Sequence, residues 1–189
     1  MKNLTTVLFL AAILSLGAVE LHAQDEGGDR VGGIRFGWHS SQFSKDGDAY
    51  GEAMQTYYVG LFRDNKIVPM FHFGTGLEYY KNGIQLDSDN HRDFHYISVP
   101  LNGKFKLGPV FALAGFAPSF KVAERITLDG ETHTPSDAEK AEWFDIPFYM
   151  GAGVKLLFIT IEARYHWGLL EVVEGYKANS FQLGLGLSF

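Results

Sequence analysis

The side chains with the widest chemical repertoire in this chain are its histidines. Apart from His22 there are six: His39, His72, His91, His95, His133 and His166. His91 and His95 stand four apart, a spacing that would place two imidazoles on one helix face over a metal ion. Their neighbours are polar and carry no helical period, so a loop is the simpler home and no metal is assigned. His39, Ser40 and Ser41 adjoin one another. A hydrolase needs Ser, His and an acid in contact, with donors set for an oxyanion. Nothing near these residues marks such donors, so no catalytic residue is assigned. The chain has no Cys, which excludes disulfide scaffolds, thiolate metal sites, cysteine nucleophiles and a lipid-anchoring Cys. Gly32-Gly33 and the pair Gly184 and Gly186 sit in strand-like segments, not in a phosphate loop, and no cofactor is expected.

The charged residues are more informative than the histidines. Arg35, Lys104, Lys106, Lys121, Lys155 and Arg164, with Glu78, Asp145 and Glu162, all alternate with apolar residues in segments of period two. The last segment shows the period best. Phe181, Leu183, Leu185, Leu187 and Phe189 share one face, and Gln182, Gly184, Gly186 and Ser188 the other. Ile159, Ile161, Ala163, Tyr165 and Trp167 repeat it against Thr160, Glu162, Arg164, His166 and Gly168. Similar stretches lie around Ile34–Trp38, Gln55–Phe62, Phe71–Tyr79, Ile97–Leu107, Val110–Val122 and Ile146–Leu156. Eight segments of about ten residues match tilted strands that cross a bilayer.

The two faces can be assigned. A soluble sandwich or lipocalin buries its apolar face and keeps charges outside. Here the apolar face is almost unbroken and ends in Tyr79, Tyr165, Trp167, Phe181 and Phe189, as interfacial girdles do. The apolar face therefore meets lipid and the charges point inward. The expected fold is an all-β, eight-stranded antiparallel up-and-down transmembrane barrel, whose closure removes the edges that lipid cannot satisfy. An interior of this size is just filled by side chains, so the nine charges are expected to form a packed salt-bridge network and not an open pore. Pro100, Pro118 and Pro147 cannot donate to the ladder and read as kinks or bulges. Val99-Pro100-Leu101 and Ile146-Pro147-Phe148 suggest one device used twice.

Composition agrees with this placement. Of 189 residues, 46% are apolar and 15% aromatic, and 22 are Gly, too apolar for a disordered chain. The net charge of −6 disfavours nucleic acid as the main partner. Residues 1–23 read as a signal peptide, with Lys2, an apolar stretch from Leu4 to Val19, and a cut between Ala23 and Gln24. Residues 24–189 then form a single barrel domain. Links after the second, fourth and sixth segments are short, at Arg63–Lys66, Leu107–Pro109 and Leu157–Phe158. Those after the others are long and acidic, near Ser44–Met54, Lys81–His95, Ala123–Trp143 and Leu169–Asn179. Short turns at one end and long loops at the other is the outer-membrane pattern, with the turns in the periplasm. Within the third loop, Pro135-Ser136 followed by Glu139 could cap a short helix.

The stretch from Tyr96 to Lys106 (YISVPLNGKFK), followed by Phe111 to Ser119 (FALAGFAPS), resembles the PorT-like outer-membrane β-barrel family of the Bacteroidota. Phe73 to Gly83 (FGTGLEYYKNG) is similar to a hairpin strand of that family, and the likeness runs from Ile34 to Phe189. The resemblance implies a barrel in the bacterial outer membrane, reached after signal-peptide-dependent export, and no catalytic site. Phe189 resembles the terminal signal read by the barrel assembly machinery. The expected partners are outer-membrane lipid, that machinery and other envelope proteins. The expected role is structural or binding, through the long acidic outer loops or within an envelope complex. A narrow-channel transport protein, an outer-membrane hydrolase and a secreted lipocalin-like binding protein are the competing readings.

Overall fold

The computed structural model describes residues 30–45, 48–85, 91–128, 131–133, 142–173 and 175–189. Among them the backbone is strand throughout, apart from tight turns and short breaks. The segments are β1 (Arg30–Lys45), β2 (Asp48–Val68), β3 (Phe71–Gln85), β4 (His91–Ser98), β5 (Leu101–Leu107), β6 (Val110–Phe116), β7 (Ser119–Leu128), β8 (Glu131–His133), β9 (Phe144–Asp145), β10 (Phe148–Leu156), β11 (Ile159–Trp167), β12 (Glu171–Val173) and β13 (Tyr176–Ser188). They form eight staves, because β4 continues into β5, β6 into β7, β9 into β10 and β11 towards β12. Each stave pairs antiparallel with the next. The sheet closes where β1 meets β13, in register from Gly33 opposite Ser188 to Ser44 opposite Lys177. Residues 1–23, with the Ala23–Gln24 cut, and the capped turn at Pro135-Ser136 lie outside the described residues.

Closure leaves no free edge, which is the condition for crossing lipid with strands. Among the described residues no helix is long and apolar enough to cross a membrane. The outward face carries the apolar half of each alternation. Phe36, Leu61, Phe105, Ile161, Leu183 and Leu185 are all exposed there, while Glu78, Gln182 and Arg164 across the same wall are buried. That is the inverse of a soluble barrel. Aromatic pairs ring the outer surface at one height, including Trp38 with Phe181 at 5.8 Å, Phe148 with Trp167 at 5.8 Å and Tyr165 with Trp167 at 4.6 Å between ring centroids.

The short turns share one end of the barrel with Arg30 and Phe189. They lie at Pro69-Met70, Gly108-Pro109 and Leu157-Phe158. The first differs from the expected Arg63–Lys66. Those four residues stay in β2, with Asp64 opposite Gly74 and Lys66 opposite His72. Their polarity looked like turn chemistry, yet Asp64 points inward to a lysine. Each turn uses a left-handed residue: Met70 at φ 72°, Gly108 at φ 59° and Leu157 at φ 57°.

At the opposite, hairpin end the ladder runs well past the girdle. Most of Ser44–Met54 and Lys81–His95, expected as loops, belongs to β1 through β4. Bulges hide this from the periodicity. Registers shift between Ser41 and Phe43 and between Ala53 and Tyr58, so the alternation resets.

The three prolines lie side by side. Val99-Pro100, Ala117-Pro118 and Ile146-Pro147 interrupt neighbouring staves at one height. Two backbone bonds still bridge the break, Val99 N–H to the Pro118 carbonyl at 2.8 Å and Ala117 N–H to the Pro147 carbonyl at 2.9 Å. Tyr80 donates to Ser119 Oγ at 2.9 Å, which in turn lies 3.0 Å from Ser98 Oγ. These hydroxyls replace part of the bonding that the prolines remove.

A face-dependent tolerance follows from this geometry. Leu185→Lys places a charge among lipid tails in the middle of β13 and should cost roughly 2–4 kcal/mol of folding free energy in vesicles. Leu185→Phe should cost under about 1.5 kcal/mol, as a hydrophobic swap on a surface that lipid can remodel. Urea unfolding in lipid vesicles measures both, and equal losses would contradict a lipid-facing Leu185.

Candidate functional site

The interior is the chemically dense part of the molecule, and it is arranged in layers along the barrel axis. Nearest the turns, Lys104 Nζ lies 2.9 Å from Asp64 Oδ2 and 3.1 Å from Oδ1. Lys106 Nζ reaches the same carboxylate at 3.3 Å. The Lys104 ammonium also stands 4.6 Å from the centroid of the Phe111 ring.

The next layer is centred on Glu78. Its Oε1 accepts from Arg164 Nη2 at 2.8 Å and is ion-paired with Arg35, whose Nε lies 2.5 Å away. Glu162 Oε1 completes the group, 2.9 Å from Arg164 Nε and 3.5 Å from Arg35 Nη1. The Arg164 guanidinium lies 5.3 Å from the Tyr58 ring and 5.8 Å from the Tyr149 ring. Glu78 and Arg164 are 2% and 1% exposed as residues, with buried Tyr58 and Tyr149 beside them, so these side chains close the lumen at this height. Glycines on the same wall make the room. A Cβ at Gly60 would lie 2.5 Å from Glu78 Cγ, and one at Gly151 would lie 2.7 Å from Arg164 Cγ.

Above the ion cluster the interior turns aromatic. His39 Nε2 donates to Asn82 Oδ1 at 2.7 Å and stacks on Tyr80 at 5.1 Å. His166 lies 3.2 Å from Gln182 Oε1 and stacks on Tyr149 at 4.8 Å. Phe43, Tyr58, Tyr80, Phe94, Tyr96, Val172 and Ala178 then form an apolar cluster inside the barrel. A second polar group sits towards the hairpin end, where Glu124 holds both Arg92 and Lys121.

Of the nine charges that the alternation turns inward, Arg35, Glu78, Glu162, Arg164, Lys104 and Lys106 join one connected set through Asp64. Lys121 belongs to the separate group with Glu124. Asp145 makes no ion pair among the described residues: it is buried beside the proline break and accepts the backbone N–H groups of Ile146 and Leu170. Lys155 lines the turn-end cavity with no close ion pair among the described residues, and Asp64 acts on it only at longer range. Two interior acids escape the sequence reading. The polar run around Asp64 reads as a turn and the stretch around Glu124 as a loop. Continuing each alternation past Gly60 and past Lys121 would have found Asp64 directly, but not Glu124, because a register shift intervenes between His95 and Tyr96 on the neighbouring strand.

The histidine constellations do not assemble. His91 and His95 lie on β4, not in a loop, and four residues along a strand separate them by roughly 13 Å. His95 Nδ1 is hydrogen-bonded to the Tyr79 hydroxyl at 2.6 Å. Ser40 accepts from Gln55 at 3.3 Å, on the face opposite His39, and Ser41 accepts from the Gly83 N–H at 3.1 Å. Among the described residues no Ser–His–acid contact links them, and no group of three metal-ligating side chains occurs.

The Glu78 cluster should behave as a unit. Glu78→Ala leaves two buried guanidiniums short of an acid and should destabilise the barrel by about 3–5 kcal/mol. Adding Arg164→Met should recover part of that loss, because it removes one of the orphaned charges. A double-mutant cycle by urea unfolding in vesicles checks this, and additive losses would show the two residues to be uncoupled.

No protein-family model matches the chain, and no curated protein sequence matches it. Solved structures with similar architecture include Ail, the attachment invasion locus protein of Yersinia pestis, in complex with the heparin analogue sucrose octasulfate. It superposes with a TM-score of 0.55 at 16% identity, over 85% of this chain and 99% of Ail. Neisserial surface protein A superposes with a TM-score of 0.56 at 14% identity, over 84% of this chain and 97% of that one. The likeness is one of fold: this chain has the closed eight-stranded antiparallel architecture of the small outer-membrane β-barrels.

Proposed function

We propose that this protein is a bacterial outer-membrane barrel that works as a binding or structural module through the hairpins at its outer end, within or beside an envelope complex. The observation that carries this reading is the filled lumen. Glu78, Arg164, Tyr58 and Tyr149 are nearly inaccessible and pack against one another, which favours a plug over a conducting channel. Interaction then falls to the surface that clears the lipid. From His39 to Lys45, seven residues of β1 continue beyond the girdle residue Trp38, a reach of roughly 20 Å. Acids outnumber bases in each of the four outer segments near Ser44–Met54, Lys81–His95, Ala123–Trp143 and Leu169–Asn179. That balance favours a partner with a basic surface and disfavours a polyanion such as the sulfated sugar held by Ail.

The PorT-like resemblance supports the same placement. Export on residues 1–23 and recognition of Phe189 by the barrel assembly machinery complete the reading. The Phe189 side chain is exposed at 87%, free for such recognition. Deleting Phe189 should lower outer-membrane levels while export proceeds, as fractionation and immunoblotting would show. Unchanged outer-membrane levels would remove this residue from the assembly signal.

The functional reading is tested with the full chain and a variant in which residues 129–142 are replaced by a two-residue turn. Both should migrate differently boiled and unboiled, as closed barrels do. In planar bilayers the full chain should show no steady conductance steps. Affinity capture from native envelope membranes should retain a partner with the full chain and lose it with the variant. Steady conductance would favour the narrow-channel reading instead, and equal retention would move the binding surface elsewhere.

A further inference from the structure

The turn end of the lumen opens into a small, solvent-connected cavity of about 20 Å³, lined by Arg35, Lys104, Lys106, Lys155, Thr160 and Ser188 among others. Its acids are Asp64 and Glu162. Four cations therefore face two carboxylates. The deeper members do not correct the excess, since Arg164 accompanies Glu78. The two acids are already committed: Asp64 to Lys104 and Lys106, Glu162 to Arg164, Arg35 and Lys104.

Two groups in the cavity lack partners. Lys155, held opposite Thr160 by the β10–β11 ladder, makes no ion pair or hydrogen bond among the described residues, and Asp64, already shared by Lys104 and Lys106, acts on it only at longer range. Ser188 Oγ is buried and unbonded. The Lys155 ammonium stands beside three other cations in a half-open space, and like charges so placed favour an anion or water among them. A hydroxyl and several N–H donors converging on one space supply the contacts that an oxyanion takes. Gly184 and Gly186 both line the wall of this space, Gly186 adding no side chain to it and Gly184 leaving room for the Tyr58 hydroxyl. The acid-rich hairpins at the opposite end make the contrast in charge sharper.

We propose that this cavity is an anion site that binds a phosphate group, with Lys155 and Lys106 as its principal cationic contacts and Ser188 as a hydroxyl donor. The group is a free phosphate or phosphomonoester entering from the turn end, or the headgroup of a lipid of the adjoining leaflet; the recognition chemistry is the same. The site is independent of the outer hairpins.

The purified full chain in zwitterionic detergent at low ionic strength is titrated calorimetrically with inorganic phosphate in one arm and with a short-chain phosphatidate in the other. Saturation with inorganic phosphate identifies a free-ion site, and saturation with phosphatidate alone identifies a headgroup site. Lys155→Gln leaves no carboxylate unpaired, so the barrel should keep its unboiled mobility. Binding should weaken roughly tenfold, the loss expected for one charge-assisted hydrogen bond. Lys177→Gln, at the far end of β13, should leave affinity unchanged. Amide resonances of Lys155, Gly186 and Ser188 should shift on titration of the parent protein, and those of Phe43 and Ala178 should not, a readout that stands even if a variant fails to fold. Absence of saturation in both arms would overturn the proposal. So would equal affinity of Lys155→Gln and parent, equal weakening by Lys177→Gln, or shifts confined to the hairpin end.

Discussion

Lipid offers no hydrogen bonds, so every backbone amide at membrane depth must find its partner in a neighbouring strand. The pairing of β1 with β13 meets that condition for the whole sheet at once. Once the sheet is closed with eight staves, the width of the lumen is set, and the remaining structure is largely the consequence of filling it. The outer surface needs only apolar bulk. The inner surface must pack side chains of fixed total volume without leaving a charge unpaired.

The barrel solves the filling problem differently at each height. Across the middle, Glu78 is shared between Arg35 and Arg164, and small residues such as Gly60 and Gly151 give those side chains their space. Towards the hairpins the same inward positions carry Phe43, Tyr80, Phe94 and Tyr96, which seal the interior by aromatic packing. Near the turns the filling is incomplete, and a cavity with surplus positive charge is left. The lumen is thus closed in its middle and open at one end.

The proline row shows how the wall tolerates interruption. Each of Pro100, Pro118 and Pro147 removes a ladder donor, but they stand in neighbouring staves at one level, so the missing donors face one another's breaks. Backbone bonds from Val99 and Ala117 carry the pairing across, and Ser98, Ser119 and Tyr80 add hydroxyl bonds from inside. Asp145, buried beside the break, accepts N–H groups there and takes no part in an ion pair among the described residues. Its inward direction was legible from alternation, but its partner was not, because the donors come from backbone that only the break exposes.

What the sequence determined by itself is the fold class and the two faces of the wall. A period of two is local: it follows from strand geometry, and each residue's side of the wall can be counted from its neighbours. That counting placed Leu183 and Leu185 outside, and Arg35, Glu78, Lys104, Glu162 and Arg164 inside, without knowledge of any contact. Counting fails where a bulge resets the phase, as between Ser41 and Phe43, and where a polar run mimics a turn, as at Arg63–Lys66. Only the tertiary structure decided which interior charges meet. Arg164 and Glu78 are 86 residues apart in the chain, and their contact depends on barrel diameter and strand stagger, which no local pattern encodes. The same closure left Lys155 without a close ion pair among the described residues and put three distant prolines in one row, because register between strands is a property of the closed ring and not of any one strand.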